Sequence, residues 1–308
     1  MQQWTVEKNQ QGMRLDKVVG EYFPTFSLRA RRRLIERGYV LLNGKKALSG
    51  KHVFQGDAIT FRESEEKTIP QASLIVRHGD FFLFAKPAFL HTVSLQGSMD
   101  SSLERQIRTR FIPSGEFFLL QRLDYFTSGL VLCARVQKAQ REFRREEKEG
   151  CVLKKYLALL EGDVPHTLCQ KALATDNCTK TRVLPSEDPP LRQTVFTPLA
   201  FFSEGDILPP WLSLPFSSFP CALTLVGCEI MMGRRHQIRA HAGFLHHPLF
   251  GDTLYGGRPH DRFYLHHGAL FFLPKTKVLY PSWMCQELVP HNIKAWMHKD
   301  TRLSDHFS

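Results

Sequence analysis

The stretch that decides the reading is Gln121-Arg122-Leu123-Asp124-Tyr125-Phe126-Thr127-Ser128-Gly129, followed by Leu130-Val131-Leu132-Cys133-Ala134. The first part is a polar loop closed by a Ser-Gly turn. The second is an apolar, β-rich run short enough to be a buried strand. Asp124 is then a carboxylate on a loop beside a core strand, with Arg122 on one side and Thr127 and Ser128 on the other. Loops mounted on rigid elements are where catalytic groups tend to sit. Alone, an Asp before Thr-Ser-Gly reads better as a turn cap. A second stretch shifts the balance: Gly233-Arg234-Arg235-His236-Gln237-Ile238-Arg239-Ala240-His241, then His247-Pro248 and Gly251-Asp252-Thr253-Leu254-Tyr255-Gly256.

Together these motifs resemble the RluA-type family of RNA pseudouridine synthases. The family's first motif reads His-Arg-Leu-Asp-x-x-Thr-Ser-Gly, and this chain matches it except for Gln121. Its later motif, Gly-Arg-x-His-Gln-Ile-Arg-x-His with His-Pro and Gly-Asp-x-x-Tyr-Gly after it, is matched throughout. Two motifs in the right order specify far more than either alone. The resemblance covers most of the chain. It implies an α+β catalytic domain with a mixed, largely antiparallel central sheet flanked by helices and loops. It also implies isomerisation of uridines in ribosomal or transfer RNA, with ribosomal RNA favoured.

Composition agrees with a nucleic-acid partner. The 308 residues leave room for one large domain and a small one. With 43% hydrophobic and 23% charged residues the chain is globular. A net charge of +11 favours a polyanion, and nucleic acid over an anionic membrane surface. No apolar run reaches the length of about 18 residues that a bilayer span needs. The start Met1 to Lys8 has no apolar signal core, so a cytoplasmic protein is expected, as a monomer without a membrane partner. Seven cysteines without a Cys-x-x-Cys pair fit scattered reduced thiols. His236, His241, His246 and His247 lack zinc-protease spacing, so hydrogen bonding, packing or RNA contact is expected of them, with no metal and no cofactor.

Outward from the centre, residues 1–61 read as a small α/β unit. Leu15, Val18, Val19 and Tyr22 recur at helical spacing up to Pro24. Ser27 caps a second helix that ends at Gly38. Arg29, Arg32, Arg33 and Arg37 line one side of it, while Arg31 falls on the apolar side. Tyr39 to Leu42 is a strand, Asn43-Gly44 a hairpin turn, and Ala58 to Phe61 another strand. The order of these features resembles the small RNA-binding module of ribosomal-protein-S-four type, which makes the arginine face a phosphate-contact candidate. Asp16, although it repeats Arg-Leu-Asp, lies in a first helical turn and reads as structural.

Residues 62–73 read as a linker, 74–300 as the catalytic domain and 301–308 as a tail. Leu74 to Val76 and Phe81 to Ala85 are apolar strands around a Gly79-Asp80 turn. The family continues Lys86-Pro87 with x-Gly-Leu, whereas this chain has Phe89 at the glycine position, a departure expected to reshape the entry loop. Val136 to Lys148 is a helix with Val136, Ala139 and Phe143 on its inner face. Lys154 to Leu160 is a strand. Gln193 to Leu199 reads as an edge strand, Phe202 to Phe219 as an irregular insertion, and Ala222 to Ile230 as a strand. Tyr264 to His267 and Ala269 to Phe272 read as two closing strands, with only a polar tail beyond Pro290.

Moving a ribose from a base nitrogen to a base carbon changes no redox state, so no cofactor is needed. It requires a carboxylate near the ribose and a pocket that retains the detached base. Asp124 fits as nucleophile at the ribose or as base for its neighbouring carbon, and sequence does not separate the two. By resemblance, Arg239 pairs with Asp124, Tyr156 stacks on the uracil, and Ile238 and the Gly233 turn border it. Arg122 is a further substrate contact. Arg239→Met is expected to disable catalysis more than it destabilises the fold. Gln121 loses the charge that the family's histidine can carry, a change expected to touch efficiency. The alternative is an RNA-binding ribosome-assembly factor that has kept the fold and lost catalysis. A serine or cysteine hydrolase is disfavoured, since no Gly-x-Ser-x-Gly elbow exists.

Overall fold

Backbone hydrogen bonding divides the chain into pieces whose cores are separate. The computed structural model describes residues 2–24, 26–36, 38–61, 69–94, 101–175, 179–272 and 277–302. Residues 62–68, within the linker expected from sequence, lie outside them, as do Arg37 and residues 303–308. One unit comprises Met1–Pro70 with Val93–Arg105, and the other Gln71–Thr92 with Gln106–Ser308.

In the smaller unit β1 (Gln2–Thr5) precedes α1 (Leu15–Tyr22) and α2 (Leu28–Glu36). β2 (Val40–Leu42), β3 (Lys45–Lys46) and β4 (Ala58–Phe61) follow. The strands form an antiparallel sheet in the order β1-β4-β2-β3. The expected helical stripe packs as read: Leu15, Val18 and Val19 are buried with Leu34, Ile35, Val40 and Ile59. Asn43 and Gly44 both take positive φ, 52° and 73°, as a tight β2–β3 hairpin demands. β1 has no sequence signal of its own and exists because β4 offers it an edge, with Trp4 opposite Ile59.

Asp16 is structural by a route that sequence did not reveal. Its side chain is buried and accepts from Arg14 Nε and Nη2 at 3.1 and 2.9 Å and from Arg32 Nε at 2.7 Å. These hydrogen bonds, Arg14's first, outweigh burial and hold the Asp16 carboxyl below its usual range. Arg32, one of the four arginines expected to face RNA, is thus tied into the unit's interior, with 43% of its side chain still exposed. Arg31, on the apolar side, turns its guanidinium to the Phe26 carbonyl at 2.7 Å.

The larger unit is built on one mixed sheet. Its strands are β5 (Ser73–His78), β6 (Phe81–Lys86), β7 (Phe118–Leu119), β8 (Ser128–Ala134), β9 (Leu153–Glu161) and β10 (Thr167–Cys169). The hairpin β11 (Lys171–Ala174) and β12 (Arg182–Glu187) stands apart from it. β13 (Thr194–Phe202), β14 (Leu223–Ile230), β15 (Leu265–Phe271) and β16 (Lys277–Val278) complete it. The order is β10-β13-β14-β9-β15-β8-β6-β5, with β16 beside β15 and β7 beside β8. All pairs are antiparallel except β8 with β15. A short helix α3 (Leu103–Gln106) begins in the stretch that belongs to the smaller unit, and the larger unit's helices are α4 (Gln137–Lys148), α5 (Gln237–Phe244) and α6 (His291–His298).

The mixed, mostly antiparallel sheet is the expected α+β class, and several local readings change. β13 is an interior strand, because the short β10 covers its outer edge. The two closing strands are one, β15, whose register shifts between His267 and Ala269. The polar tail is a helix: α6 buries Ile293 and Met297 against the sheet, and Gly227 admits the Trp296 ring where a Cβ would stand 2.4 Å away. β5, read as apolar, is an exposed edge strand. Val136 stands exposed just before α4, which buries Ala139 and Phe143. The irregular stretch after Phe202 contributes Leu212 and Phe219 to the main core and closes by an Ile207–Ser218 bridge.

Candidate active site

Asp124 lies at the turn just before β8, the strand whose parallel pairing with β15 sets the centre of the sheet. Gly129 makes that pairing possible. Its φ is +118°, and a Cβ there would lie 2.2 Å from the His267 carbonyl oxygen. The glycine of the Thr-Ser-Gly motif is therefore steric in origin. Gly129→Ala should lower the urea midpoint and cost more stability than the roughly 1–3 kcal/mol of backbone strain alone, since the strands must part. An unchanged midpoint would mean that the β8–β15 contact is loose.

The loop carrying Asp124 is pinned from one side by residues 89–92. The Thr92 hydroxyl donates to the Leu123 carbonyl at 2.7 Å and accepts from the Leu123 amide at 3.0 Å. Phe89 N donates to the Tyr125 carbonyl at 2.8 Å. Gln121, the departure from the family pattern, closes the loop at its base: its Nε2 and His267 Nδ1 donate to the Leu130 carbonyl at 3.2 and 2.6 Å. An uncharged amide suffices for that bond.

Arg239 approaches from α5 and meets two carboxylates. Its Nη1 donates to Asp124 Oδ2 at 2.7 Å, while Nε and Nη2 clamp Asp252 at 2.6 and 2.8 Å. Phe263 lies 4.3 Å and Tyr255 5.1 Å from the guanidinium carbon. Burial opposes the charge on Arg239, but Asp252 and Asp124 together outweigh it and hold its pKa above the usual value. Asp252 is thus the buried anchor that orients Arg239. Asp124 keeps 28% of its side chain exposed, against 2% for Asp252, so it alone of the pair can meet a substrate.

His236, expected from sequence to serve hydrogen bonding, packing or RNA contact, lies beside Asp124. It takes a left-handed φ of 54° at the start of α5, and its Nε2 stands 3.6 Å from Asp124 Oδ1. Tyr255 Oη accepts from the Thr181 amide at 2.9 Å and lies 3.0 Å from His236 Nδ1. With that hydroxyl donating to Nδ1, the imidazole proton sits on Nε2, facing Asp124. Burial lowers the His236 pKa and the charge of Asp124 only partly restores it. Only the motif match marked the position in the sequence.

Gln237 fixes where α5 begins. It is buried, and its Nε2 donates to the Arg192 carbonyl at 2.8 Å, the Gln193 carbonyl at 3.1 Å and Thr194 Oγ1 at 3.1 Å. His241 bridges Thr194 Oγ1 and the Lys171 carbonyl, both at 2.9 Å. Ile238 is buried on α5 beside Arg239.

Tyr156 faces Cys228 on β14 and His267 on β15, and its ring stacks on His267 at 4.6 Å and 17°. Burial, then the negative charge of Asp124, raises its pKa, so the phenol stays neutral and senses the carboxylate. Burial also pulls His266 to about 4 and His267 to about 3, leaving both uncharged at neutral pH. Arg122 is exposed and makes no ion pair among the described residues. Of the expected site residues, the structure joins Asp124 to Arg239 directly, while Tyr156 makes its ring contact with His267.

A further cation was not anticipated. Lys86 ends β6 fully buried, donating to the Pro87 and Leu90 carbonyls at 2.9 and 2.7 Å. Burial lowers its pKa to about 7, against the opposing pull of Asp124. Removing that pull by Asp124→Asn should lower it further, readable from the pH dependence of the Lys86 ε-carbon shift. A rise instead would mean that Lys86 does not sense the carboxylate.

The RNA pseudouridylate synthase family model matches residues 80–243, just over half of the chain and most of the scaffold just described. The chain belongs to the RNA pseudouridylate synthase family. The RluA-type resemblance read from the two motifs therefore stands. Ribosomal large subunit pseudouridine synthase D of Vibrio cholerae is 26% identical over 265 residues, 82% of this chain and 76% of that protein. Ribosomal large subunit pseudouridine synthase C of Rickettsia bellii is 27% identical over 286 residues, 85% of this chain and 90% of that protein. Human RNA Pseudouridylate Synthase Domain Containing 1 aligns over 73% of this chain and 89% of its own, with a TM-score of 0.49 and 23% identity. No helix among the described residues is long and apolar enough to cross a membrane.

Proposed function

We propose that this pseudouridine synthase isomerises a uridine of large-subunit ribosomal RNA, with Asp124 as its catalytic residue. The observation that carries the assignment is the Asp124–Arg239–Asp252 relay, in which a buried arginine is fixed by one carboxylate and presents another, partly exposed, carboxylate to the substrate. The reaction breaks the bond from ribose C1′ to base N1 and joins C1′ to C5. The C5 proton leaves, and N1 gains one. Asp124 serves by attacking C1′ or by accepting the proton of C2′. Tyr156 borders the base, its neutral phenol adding no negative charge beside the carboxylate. Ile238 contributes an apolar wall, and Arg122 a loop cation for the flanking phosphates. The names of the curated relatives support ribosomal over transfer RNA.

The smaller unit serves as an RNA-binding module, in keeping with a chain that carries a net charge of +11. Sequence-independent affinity then falls on Arg29, Arg33 and Arg37, with Arg32 shared between RNA and Asp16. Replacing the first three with Glu should weaken RNA binding and flatten its salt dependence, while product still forms at saturating RNA. An unchanged slope in titrations at several salt concentrations would remove the module from the binding account. The site assignment itself is tested by mapping pseudouridines across cellular RNA with and without this protein. One or a few large-subunit positions should revert to uridine, and an unaltered map would overturn the reading.

A further inference from the structure

Phe89 occupies a backbone conformation that an aromatic residue avoids. Its φ is +62°, in the left-handed region where glycine is at ease and a side chain is strained. The strain is not compensated by burial, because Phe89 is 40% exposed. Its backbone amide is committed to the Tyr125 carbonyl, so the ring projects from the segment that pins the catalytic loop. Tyr125, the residue after Asp124, is 37% exposed and packs against Phe89 edge to face, centroids 6.0 Å apart. Phe126 lies 5.4 Å from Phe89 and 5.5 Å from Phe263, which in turn packs under Arg239. Arg262 places its guanidinium 5.5 Å from the Phe89 ring centre.

These contacts describe an aromatic rim with a cation on it, running from solvent to the ion pair that holds Asp124. Packing among these rings returns only a modest stabilisation per pair, while Phe89 bears the left-handed strain and both it and Tyr125 stay partly exposed. An unpaired RNA strand gains a great deal, since its bases stack on aromatic and guanidinium planes and its phosphates meet the cation. We propose that Phe89, with Tyr125 and Arg262 beside it, stacks on the nucleobase next to the target uridine and so selects unpaired RNA at the mouth of the site. This rests on the RNA substrate proposed above. The rim binds the neighbouring base, so its contribution is made equally in the ground and transition states and falls on KM.

Phe89→Gly relaxes the backbone and removes the ring, and Phe89→Trp retains a stacking face. The binding probe is a nine-nucleotide RNA with one central uridine among adenosines, and a copy with abasic riboses on both sides of that uridine. Wild type should bind the abasic copy about 10-fold more weakly, the size of one lost stack. Phe89→Gly should bind the intact probe about 10-fold more weakly, lose less than twofold more on the abasic copy, and show a raised thermal midpoint. Phe89→Trp should behave as wild type. On unmodified ribosomal RNA, the Phe89→Gly defect should appear in KM rather than kcat. Equal abasic penalties in wild type and Phe89→Gly would overturn the rim, as would unchanged affinity in Phe89→Gly. Absence of product from wild type would instead overturn the proposed reaction, and the binding comparison would still decide the rim.

Discussion

Arg239→Met is expected to cost both the fold and the reaction. The sequence-based expectation put the loss mainly on catalysis. The clamp on Asp252 changes it, because the substitution strands a carboxylate that is 2% exposed. Breaking a buried pair by removing one partner costs about 3–5 kcal/mol. Chemical denaturation should show a loss of that size, with the m-value retained. Asp252→Asn in the same chain removes the stranded charge and should recover a large part of the stability. Activity should not return with it, because Asp124 still lacks the donor at 2.7 Å. Recovery of both would make Arg239 a purely structural residue. Recovery of neither would mean that Asp252 is not where the destabilisation arises.

Asp124→Asn should carry the largest functional effect and a small structural one. The side chain is partly exposed and similar in size, and Arg239 keeps its two bonds to Asp252, so the thermal midpoint should move little. RNA affinity should hold or rise slightly, since a negative charge near phosphates is removed. The rate should fall by at least about 10⁴-fold, as when a nucleophile or general base has no substitute. Filter binding and single-turnover kinetics on the same RNA separate the two quantities. A matching fall in affinity and rate would place Asp124 in binding rather than chemistry.

Local pattern carried part of this architecture and stopped at identifiable points. The helical spacing of Leu15, Val18, Val19 and Tyr22, the Asn43-Gly44 turn and the apolar run from Leu130 are properties of adjacent residues, and the structure keeps them. Whether β13 is edge or interior depends on β10, which has three residues and no pattern of its own. α6 was hidden because its buried face amounts to Ile293 and Met297 among polar neighbours. Phe89 was expected to reshape its loop. It takes a left-handed φ of 62°, which no local pattern announces.

The site divides in the same way. The resemblance led to the Asp124–Arg239 pair, which a local reading would have left as a turn cap and a helix cation. The site roles of His236, Asp252 and Tyr255 were not assigned because they are set by partners elsewhere in the chain. Asp252 follows a glycine and looks like a turn until Arg239 closes on it. Lys86 precedes a proline and looks like a strand end until its ammonium is found buried. No spacing rule encodes the Arg239–Asp252 contact at 2.8 Å or the burial of Lys86.

The central claim is that this chain isomerises uridine through Asp124, and release of the C5 hydrogen tests it most directly. Ribosomal RNA lacking its modifications, labelled with 5-tritiated uridine, is incubated at saturating concentration with wild type or Asp124→Asn at equal protein. Wild type should release tritium to a plateau of one or a few uridines per RNA, and the variant none above background. Equal release by both proteins would contradict the role of Asp124. No release by either, on ribosomal RNA from which the modification is known to be missing, would contradict the reaction and leave an RNA-binding assembly factor in its place.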